Sequence, residues 1–242
     1  MAGVDEVGRG PLAGPVFAAA IILPDNHNIT GLKDSKKLTE NKREKLFYKI
    51  KKESLAIGIG SVNEKKIDRI NIREATFLAM ELALSNLSLK PARALIDGFS
   101  LKNQNIPNKG IVRGDNKVDA IKAASIIAKV TRDRLMCQYD FIFPEYDFKN
   151  NKGYGTANHI NGLKKYKSSP IHRKTFNPVT QYMPTFKWLV ENNRICWMGN
   201  KFAGLFLLKK QYIFKNRIDL INSDYNIYIT EKNNIIVNVV VF

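Results

Sequence analysis

Short apolar segments alternate with longer segments of helical periodicity through the first 180 residues of this 242-residue chain. The apolar segments have the length and composition of buried strands. The predicted strands are residues 16–23, 54–60, 92–96 and 111–112. Strands that alternate with helices predict an α/β fold, here with a mixed central sheet flanked by helices.

Three segments carry the helical pattern. The first begins near Thr39, an N-cap candidate, and continues through residue 51. The second begins at Asn71, with Glu74 three residues later as in a capping box. The third is long and its packed face is expected to carry small residues; the positions that mark it are Val118, Ile121, Ala124, Ala128 and Leu135. We expect these helices to cover the sheet.

Positive charge is in large excess: 39 Lys and Arg residues stand against 22 Asp and Glu residues, a formal net charge of +17. This surplus indicates a polyanionic partner, either a nucleic acid or an acidic membrane surface. A genome biased towards Lys and Asn codons is the alternative explanation. No apolar run is long enough to span a membrane, so we expect no membrane association.

The two cysteines, Cys137 and Cys196, have neither a CxxC nor a metal-ligand spacing. This argues against a disulfide framework and favours a reducing compartment. The N-terminus opens without a basic and apolar leader. We therefore expect a cytoplasmic protein, acting as a monomer.

Acidic residues follow two of the apolar segments and precede the third helix. Asp5 and Glu6 come after apolar residues 2–4, and Asp97 ends the segment 94–96, before a glycine. Asp115 also follows a glycine. Adjacent side chains on a strand point to opposite faces, so Asp5 and Glu6 should diverge unless the strand ends there. Taken singly, each acid is also explained by a surface turn.

Taken together, the four acids predict a metal site. Acids at the ends of buried strands lie at the rim of a sheet. Four carboxylates crowded there would repel one another unless cations lay between them. Carboxylate oxygens select Mg²⁺ or Mn²⁺. Two such ions can activate water and stabilise the leaving oxygen of a phosphodiester.

Seven motifs resemble those of the ribonuclease HII family, in the family's order and at its approximate spacing. They are AGVDEVGRGPLAG at residues 2–14, DSKKL at 34–38, LIDG at 95–98, RGD at 113–115, AASIIAKVTRD at 123–133, KGYGT at 152–156 and HRKTFNPV at 172–179. Any one of them is a weak signal. The seven in register cover essentially residues 1–180.

The resemblance implies the ribonuclease H fold and an endoribonuclease acting on the RNA strand of RNA–DNA hybrids. It implies that the catalytic residues and metal ligands are Asp5, Glu6, Asp97 and Asp115. It further implies that Gly8, Arg9 and Gly10 read the ribose 2′-hydroxyl, the group that distinguishes RNA from DNA. Tyr154 would stack on the sugar next to the cut.

The sibling family, ribonuclease HIII, usually has a Lys in place of Arg9 and an additional N-terminal substrate-binding domain. The first acid of this chain is residue 5, which favours type HII. One position departs from the family pattern: Lys167 stands where a glycine often ends a helix. A positive φ at that position would strain a lysine.

Two further residues are candidates for contacts with the phosphate backbone. Lys36 offers a cation, although a solvated basic face explains it equally well. Ser125 offers a hydroxyl, although tight helix packing explains a small residue there equally well.

The composition changes after Pro178, which predicts a catalytic domain of residues 1–180 and an extension of unknown role and fold at 181–242. Residues 199–242 resemble, at a few positions, a small family of predicted endonucleases. The positions of that family's acids and lysine hold Gly204, Tyr228, Val240 and Phe242. We therefore expect the extension to bind no metal. An unrelated extension is the alternative.

The sequence thus predicts two-metal hydrolysis of RNA–DNA hybrids and incision at single ribonucleotides in duplex DNA, leaving 5′-phosphate and 3′-hydroxyl ends. The alternatives are a DNA endonuclease or resolvase on the same fold, and a non-catalytic nucleic-acid-binding protein. The four acids argue against the last, because negative charge beside phosphates weakens simple binding.

Overall fold

The computed structural model describes residues 1–102, 104–185, 188, 191, 192 and 194, and the backbone of three strands between residues 218 and 241. Residues 1–180 contain a five-stranded sheet. Its strands are β1 (Ala2–Val7), β2 (Val16–Ile22), β3 (Ala56–Val62), β4 (Ala94–Asp97) and β5 (Asn108–Ile111). The order is β3-β2-β1-β4-β5. β1 pairs antiparallel with β2 and parallel with β4, so the predicted mixed sheet is confirmed.

Several predicted strand boundaries shift, and β4 comprises residues 94–97 rather than 92–96. β3 begins at residue 56, not 54, and β5 begins at residue 108, not 111. The β5 sequence is NKGI, which has no apolar pattern to reveal its start. The start is fixed by tertiary contacts instead: the Asn108 side chain accepts a hydrogen bond from the Leu101 N–H at 2.8 Å and donates to the Leu101 carbonyl at 3.1 Å.

Within residues 1–180, five described α-helices accompany the sheet: α1 (Glu40–Glu53), α2 (Glu64–Ser85), α3 (Asp119–Ile142), α4 (Phe148–Asn151) and α5 (Ala157–Tyr166). The predicted N-cap of α1 is confirmed, since the Thr39 hydroxyl accepts from the Lys42 N–H. The prediction for α2 was wrong in its start, because the helix begins seven residues earlier and is kinked at Asn71, where φ is 66°. Asn71 still caps the second half, accepting from the N–H groups of Arg73 and Glu74.

The sheet is buried on both faces. Alternate residues of β2 point to opposite sides: Ala18 and Ala20 belong to the core beneath α2, whereas Ala19 and Ile21 belong to the core shared with α1 and α3. A fully apolar strand such as VFAAAII is expected when both faces are covered.

Helix α3 lies close against the central strand. A Cβ added to Gly3 would be 2.3 Å from the backbone carbon of Ala120, so only glycine allows this approach. The contact sets the first turn of α3 beside the amino-terminal part of β1, and the following turns, which carry Ser125 and Lys129, reach the carboxyl end where the predicted acids lie.

The chain divides into two compact units. The first comprises Met1–Tyr166 and Ile171–Thr180, and the second comprises Lys167–Pro170 and Gln181–Phe242. A domain boundary at residue 180 stays a prediction. Lys167 has a φ of 63°, so the strain expected from a lysine at this position is present.

The second unit contains an antiparallel sheet of β6 (Ile218–Asn222), β7 (Tyr225–Lys232) and β8 (Ile235–Val241). Tyr228 and Val240, two of the four positions predicted to lack metal ligands, pair across β7 and β8. The other two, Gly204 and Phe242, lie outside the described residues. Within the described part of the chain, no helix has the length and apolar character needed to cross a membrane.

Candidate active site

Two parallel strands bring the predicted acids together. Val4 of β1 pairs with Ile96 of β4, so the residues that follow them, Asp5 and Asp97, emerge side by side. One carboxylate oxygen from each of Asp5, Glu6 and Asp97 lies within 4.8 Å of the others. We call these three residues the carboxylate cluster.

Asp5 and Glu6 both belong to the cluster although β1 continues through Val7. The expectation that adjacent side chains diverge therefore fails for their carboxylates. Glutamate has one more methylene than aspartate, which lets its carboxylate reach around the strand. Asp5 is buried, and its Oδ1 accepts from the Glu6 N–H at 2.7 Å.

Asp115 lies next to the cluster rather than within it. It belongs to the turn Gly114–Asn116, whose backbone holds Asp97: the Gly114 and Asp115 N–H groups donate to Asp97 Oδ1 at 2.7 and 3.3 Å. The Asp115 carboxylate accepts from the Asn116 side chain at 2.8 Å. Three of the four predicted acids are thus grouped, and the fourth, Asp115, lies in the neighbouring turn that holds Asp97.

The cluster is electrostatically unfavourable by itself. Burial, together with the charges of Glu6 and Asp97, raises the pKa of Asp5 well above its ordinary value. Burial also raises the pKa of Glu6, although Arg9 opposes the shift. Burial and the charge of Asp115 raise the pKa of Asp97. Each carboxylate resists ionisation, as expected for like charges that lack enough cations nearby.

A divalent cation fits this donor set. The cluster offers hard oxygen ligands from three separate side chains, with a fourth carboxylate one turn away. Among the described residues, the ion pair to the cluster is that of Arg9 Nη1 with Glu6 Oε1, at 3.4 Å. The Arg9 side chain is 55% exposed, so it only weakly offsets the negative charge.

One cleft gathers eight of the ten predicted site residues. They are Asp5, Glu6, Gly8, Arg9, Gly10, Lys36, Ser125 and Tyr154. The remaining two are placed differently: Asp97 lines the adjoining cleft together with Glu6 and Arg9, and Asp115 lies behind Asp97.

The ribose-reading candidates lie against one another in the cleft. Gly8 has a φ of 91°, and a Cβ there would be 2.3 Å from Arg132 Nε, so the position requires glycine. A Cβ on Gly10 would be 3.6 Å from Cε1 of Tyr154, so the tyrosine ring lies over Gly10. Tyr154 is 41% exposed and its ring remains accessible.

Ser125 has protein partners that the sequence did not predict. It is buried on α3, and its hydroxyl lies within hydrogen-bonding distance of the Ser35 hydroxyl, at 2.8 Å. It also hydrogen-bonds the Asp5 side chain, which lowers the pKa of Asp5 against the larger effect of burial. Ser35 and Lys129 line the same cleft and were not predicted. Lys129 lies four residues after Ser125, the spacing that places two residues on one helix face.

Four buried residues behind the cleft were also missed as site residues: Arg132, His159, His172 and Arg173. We call them the Arg–His cluster. Both histidines are fully buried. Nothing in a sequence distinguishes a buried arginine from a surface one, because both occur in basic motifs.

A mixed sheet with acids at the ends of its central strand and the neighbouring parallel strand defines a nuclease of the ribonuclease H-like fold. The ribonuclease H2 of Pyrococcus horikoshii has this fold and is similar to the chain with a TM-score of 0.62 and 28% identity, covering 75% of this chain and 95% of that one.

The family model of ribonuclease HII matches residues 2–179. Ribonuclease HII of Desulfitobacterium hafniense is 52% identical over 183 residues, 76% of this chain and 70% of the relative. That of Acetivibrio thermocellus is 56% identical over 176 residues, 73% of this chain and 69% of the relative. The chain belongs to the ribonuclease HII family, and the choice of type HII over type HIII is confirmed.

Proposed function

We propose that the chain hydrolyses the RNA strand of RNA–DNA hybrids and incises duplex DNA at single embedded ribonucleotides. The observation that carries the proposal is the shared cleft, in which Asp5 and Glu6 lie beside Gly8-Arg9-Gly10 and Tyr154. Groups suited to hydrolysis therefore adjoin groups suited to reading a ribose.

The carboxylates would hold Mg²⁺ or Mn²⁺. Asp5, Glu6 and Asp97 are the ligands of the cluster, and Asp115 is positioned to add a fourth. When two such ions are bound, they supply activation of water and stabilisation of the leaving oxygen, which gives 5′-phosphate and 3′-hydroxyl ends. The protein orients these ligands through strand pairing, through the turn that holds Asp97, and through the Ser125 hydroxyl on Asp5.

The ribose would be recognised by other residues of the same cleft, namely Gly8-Arg9-Gly10 and Tyr154. The backbone amides of Gly8 and Gly10 can approach the 2′-hydroxyl, which both donates and accepts hydrogen bonds. The exposed Arg9 can leave its weak pair with Glu6 for the substrate. Tyr154 would stack on the sugar, and Lys36 would contact a phosphate at the cleft's edge.

The wider assignments rest on the same proposal. Residues 1–180 would form the catalytic domain, and the biological role would be the removal of ribonucleotides from DNA. Cytoplasmic location and a monomeric state stay predictions.

A cleavage assay tests the proposal. The full chain is incubated with Mg²⁺ or Mn²⁺ and duplex DNA that carries one ribonucleotide, beside an all-DNA duplex of the same sequence. We expect a cut only at the ribonucleotide, 5′-phosphate and 3′-hydroxyl ends, and no cleavage in EDTA. Cleavage of the all-DNA duplex would instead indicate a DNA endonuclease, and binding without cleavage would indicate a non-catalytic binder.

A further inference from the structure

Gly8-Arg9-Gly10 belongs to the 8–15 loop and Tyr154 belongs to the 152–154 segment, and we call these two groups the ribose-reading walls. The loop and the segment contact each other behind the cleft. The Leu12 N–H donates to the Gly153 carbonyl at 2.8 Å. The side chains of the Arg–His cluster fill the space around this contact and are fully buried, at 0% exposure.

Arg132 joins the two walls directly. Its guanidinium donates to the Ala13 carbonyl at 3.1 Å and the Pro15 carbonyl at 3.0 Å, both in the 8–15 loop. The same group donates to the Lys152 carbonyl at 2.8 Å, two residues before Tyr154. One planar side chain therefore fixes the separation of the two segments.

Arg173 holds the part of the loop that reads the ribose. Its three nitrogens donate to the carbonyls of Gly8 at 2.5 Å, Arg9 at 2.8 Å and Gly14 at 3.0 Å. Only a guanidinium offers several donors in a fixed planar fork, and lysine cannot reproduce this pattern.

The histidine pair ties Arg173 to Tyr154. His159 Nδ1 lies 2.9 Å from the Tyr154 carbonyl, which can only accept, so Nδ1 carries the proton. A neutral His159 then accepts at Nε2, and His172 Nε2–H donates across 2.9 Å. Since His172 precedes Arg173 in the chain, one continuous set of contacts runs from the Tyr154 backbone to the Gly8 and Arg9 carbonyls.

This arrangement is costly, which indicates that it serves more than packing. Burial lowers the pKa of Arg132 to about 10 and, together with the charge of Arg132, lowers that of Arg173 to about 9. Apolar residues of similar volume often replace buried charges without loss of stability. Here they would leave six carbonyls of the site without these donors.

We propose that the Arg–His cluster positions the ribose-reading walls, setting Tyr154 against Gly8-Arg9-Gly10 so that both contact the same sugar. The inference rests on the proposed function. It assigns the Arg–His cluster a part in substrate discrimination, while the carboxylate cluster, which stands on β1 and β4, stays independent of it.

The test compares two activities of each full-length variant: cutting at one embedded ribonucleotide and cutting a long RNA–DNA hybrid. Arg173→Lys should lower kcat on the embedded ribonucleotide about tenfold, as loss of a supporting hydrogen bond often does, with KM little changed. The loss on the long hybrid should be smaller, since many registers of that substrate can compensate. The Mn²⁺ concentration for half-maximal activity should not move.

Arg134→Lys is the matched control. Arg134 lies on the same helix as Arg132, but it is a surface residue that donates to Glu44 at 2.6 Å and to Tyr48 at 3.0 Å. The ratio of the two activities should stay at its wild-type value.

A second pair of variants keeps the test decisive if Arg173→Lys does not fold. His172→Leu removes the donor to His159 and should lower the ratio, whereas His172→Gln restores an N–H and should recover part of it. An unchanged ratio in folded His172→Leu, or in folded Arg173→Lys, overturns the positioning role. If the wild type itself fails to cut at an embedded ribonucleotide, the proposed function falls, and this inference falls with it.

Discussion

The carboxylate cluster and the Arg–His cluster both bury charge within one unit of the chain, but they satisfy it differently. Each arginine of the Arg–His cluster donates to three backbone carbonyls. The carboxylates face one another, and burial and mutual repulsion raise the pKa of each. The Arg–His cluster is satisfied by the protein alone, whereas we propose that the carboxylate cluster is completed by a cation from outside. Mutations in the Arg–His cluster should therefore lower stability, whereas mutations in the carboxylate cluster should raise stability in the absence of metal and abolish turnover.

The largest expected effect is on turnover. Asp97→Asn keeps an acceptor for the Gly114 N–H but removes one negative charge from the proposed metal site. Because bound metal supplies several kcal/mol of transition-state stabilisation, we expect kcat to fall by about 10²-fold or more. Steady-state cleavage of an embedded-ribonucleotide duplex measures the loss, and binding of that duplex should be intact or tighter. Near-wild-type turnover would remove Asp97 from the site.

The Arg–His cluster should show its largest effect on stability. Arg132→Met leaves the carbonyls of Ala13, Pro15 and Lys152 without a donor. Each buried unsatisfied group costs about 1–3 kcal/mol, so the free energy of unfolding should fall by at least about 3 kcal/mol. Urea denaturation measures it, with Arg134→Met as the exposed control. A fall no larger than the control's would mean that the guanidinium only fills space.

The carboxylate cluster should respond in the opposite direction. Without metal, Asp5→Asn removes a buried charge from a repulsive group and keeps an oxygen to accept from the Glu6 N–H. We expect the free energy of unfolding in EDTA to rise, by about 1 kcal/mol or more, while turnover is lost. Destabilisation by this substitution would show that Asp5 is already well compensated.

The pH dependence should separate the two regions further. The pKa of Asp5 is raised in the folded state. The stability that Asp5 contributes is therefore fully present below pH 3.8, its ordinary pKa, and is lost as pH rises through the raised pKa. In EDTA, the stability advantage of Asp5→Asn over wild type should therefore be small near pH 4 and grow towards neutrality.

His159, in the Arg–His cluster, should show the opposite pH dependence. Burial lowers the pKa of His159, against weaker opposing effects of the Tyr154 carbonyl and Asp147. Its contribution has the opposite sign: it is present above 6.5 and lost as pH falls. Urea melts of wild type, Asp5→Asn and His159→Gln across this range check both slopes.

The smallest effect should come from the extension. Both clusters lie before residue 180, so a chain ending there should cut within a few-fold of the full-length rate. Because the truncated chain lacks the lysines of the extension, the salt dependence of its binding to duplex should be shallower. Cleavage and binding at two salt concentrations provide the test. An insoluble or inactive truncated chain would place the extension in the folding core and contradict the predicted boundary.

Much of the sheet and the acid site was predictable, because strand ends, glycines and acids are visible in the sequence. The apolar pattern of 16–23 marked a strand covered on both faces, and the acids after 2–4 and 94–96 marked adjacent strand ends. The polar strand β5 had no such pattern, and its position depends on Asn108 contacts with Leu101. The Arg–His cluster could not be predicted, because its partners are backbone carbonyls up to 165 residues away in the chain.

The central claim is that the carboxylate cluster is incomplete until a divalent cation binds. Its most direct test is the melting temperature of wild type and Asp97→Asn during titration with Mn²⁺, starting from metal-free protein. Binding to the folded state alone adds about 2.7 kcal/mol of stability at a hundredfold excess over Kd. We predict that the wild-type melting temperature rises and saturates with Mn²⁺, while that of Asp97→Asn rises much less. Equal rises in the two proteins, or none in either, would contradict the claim.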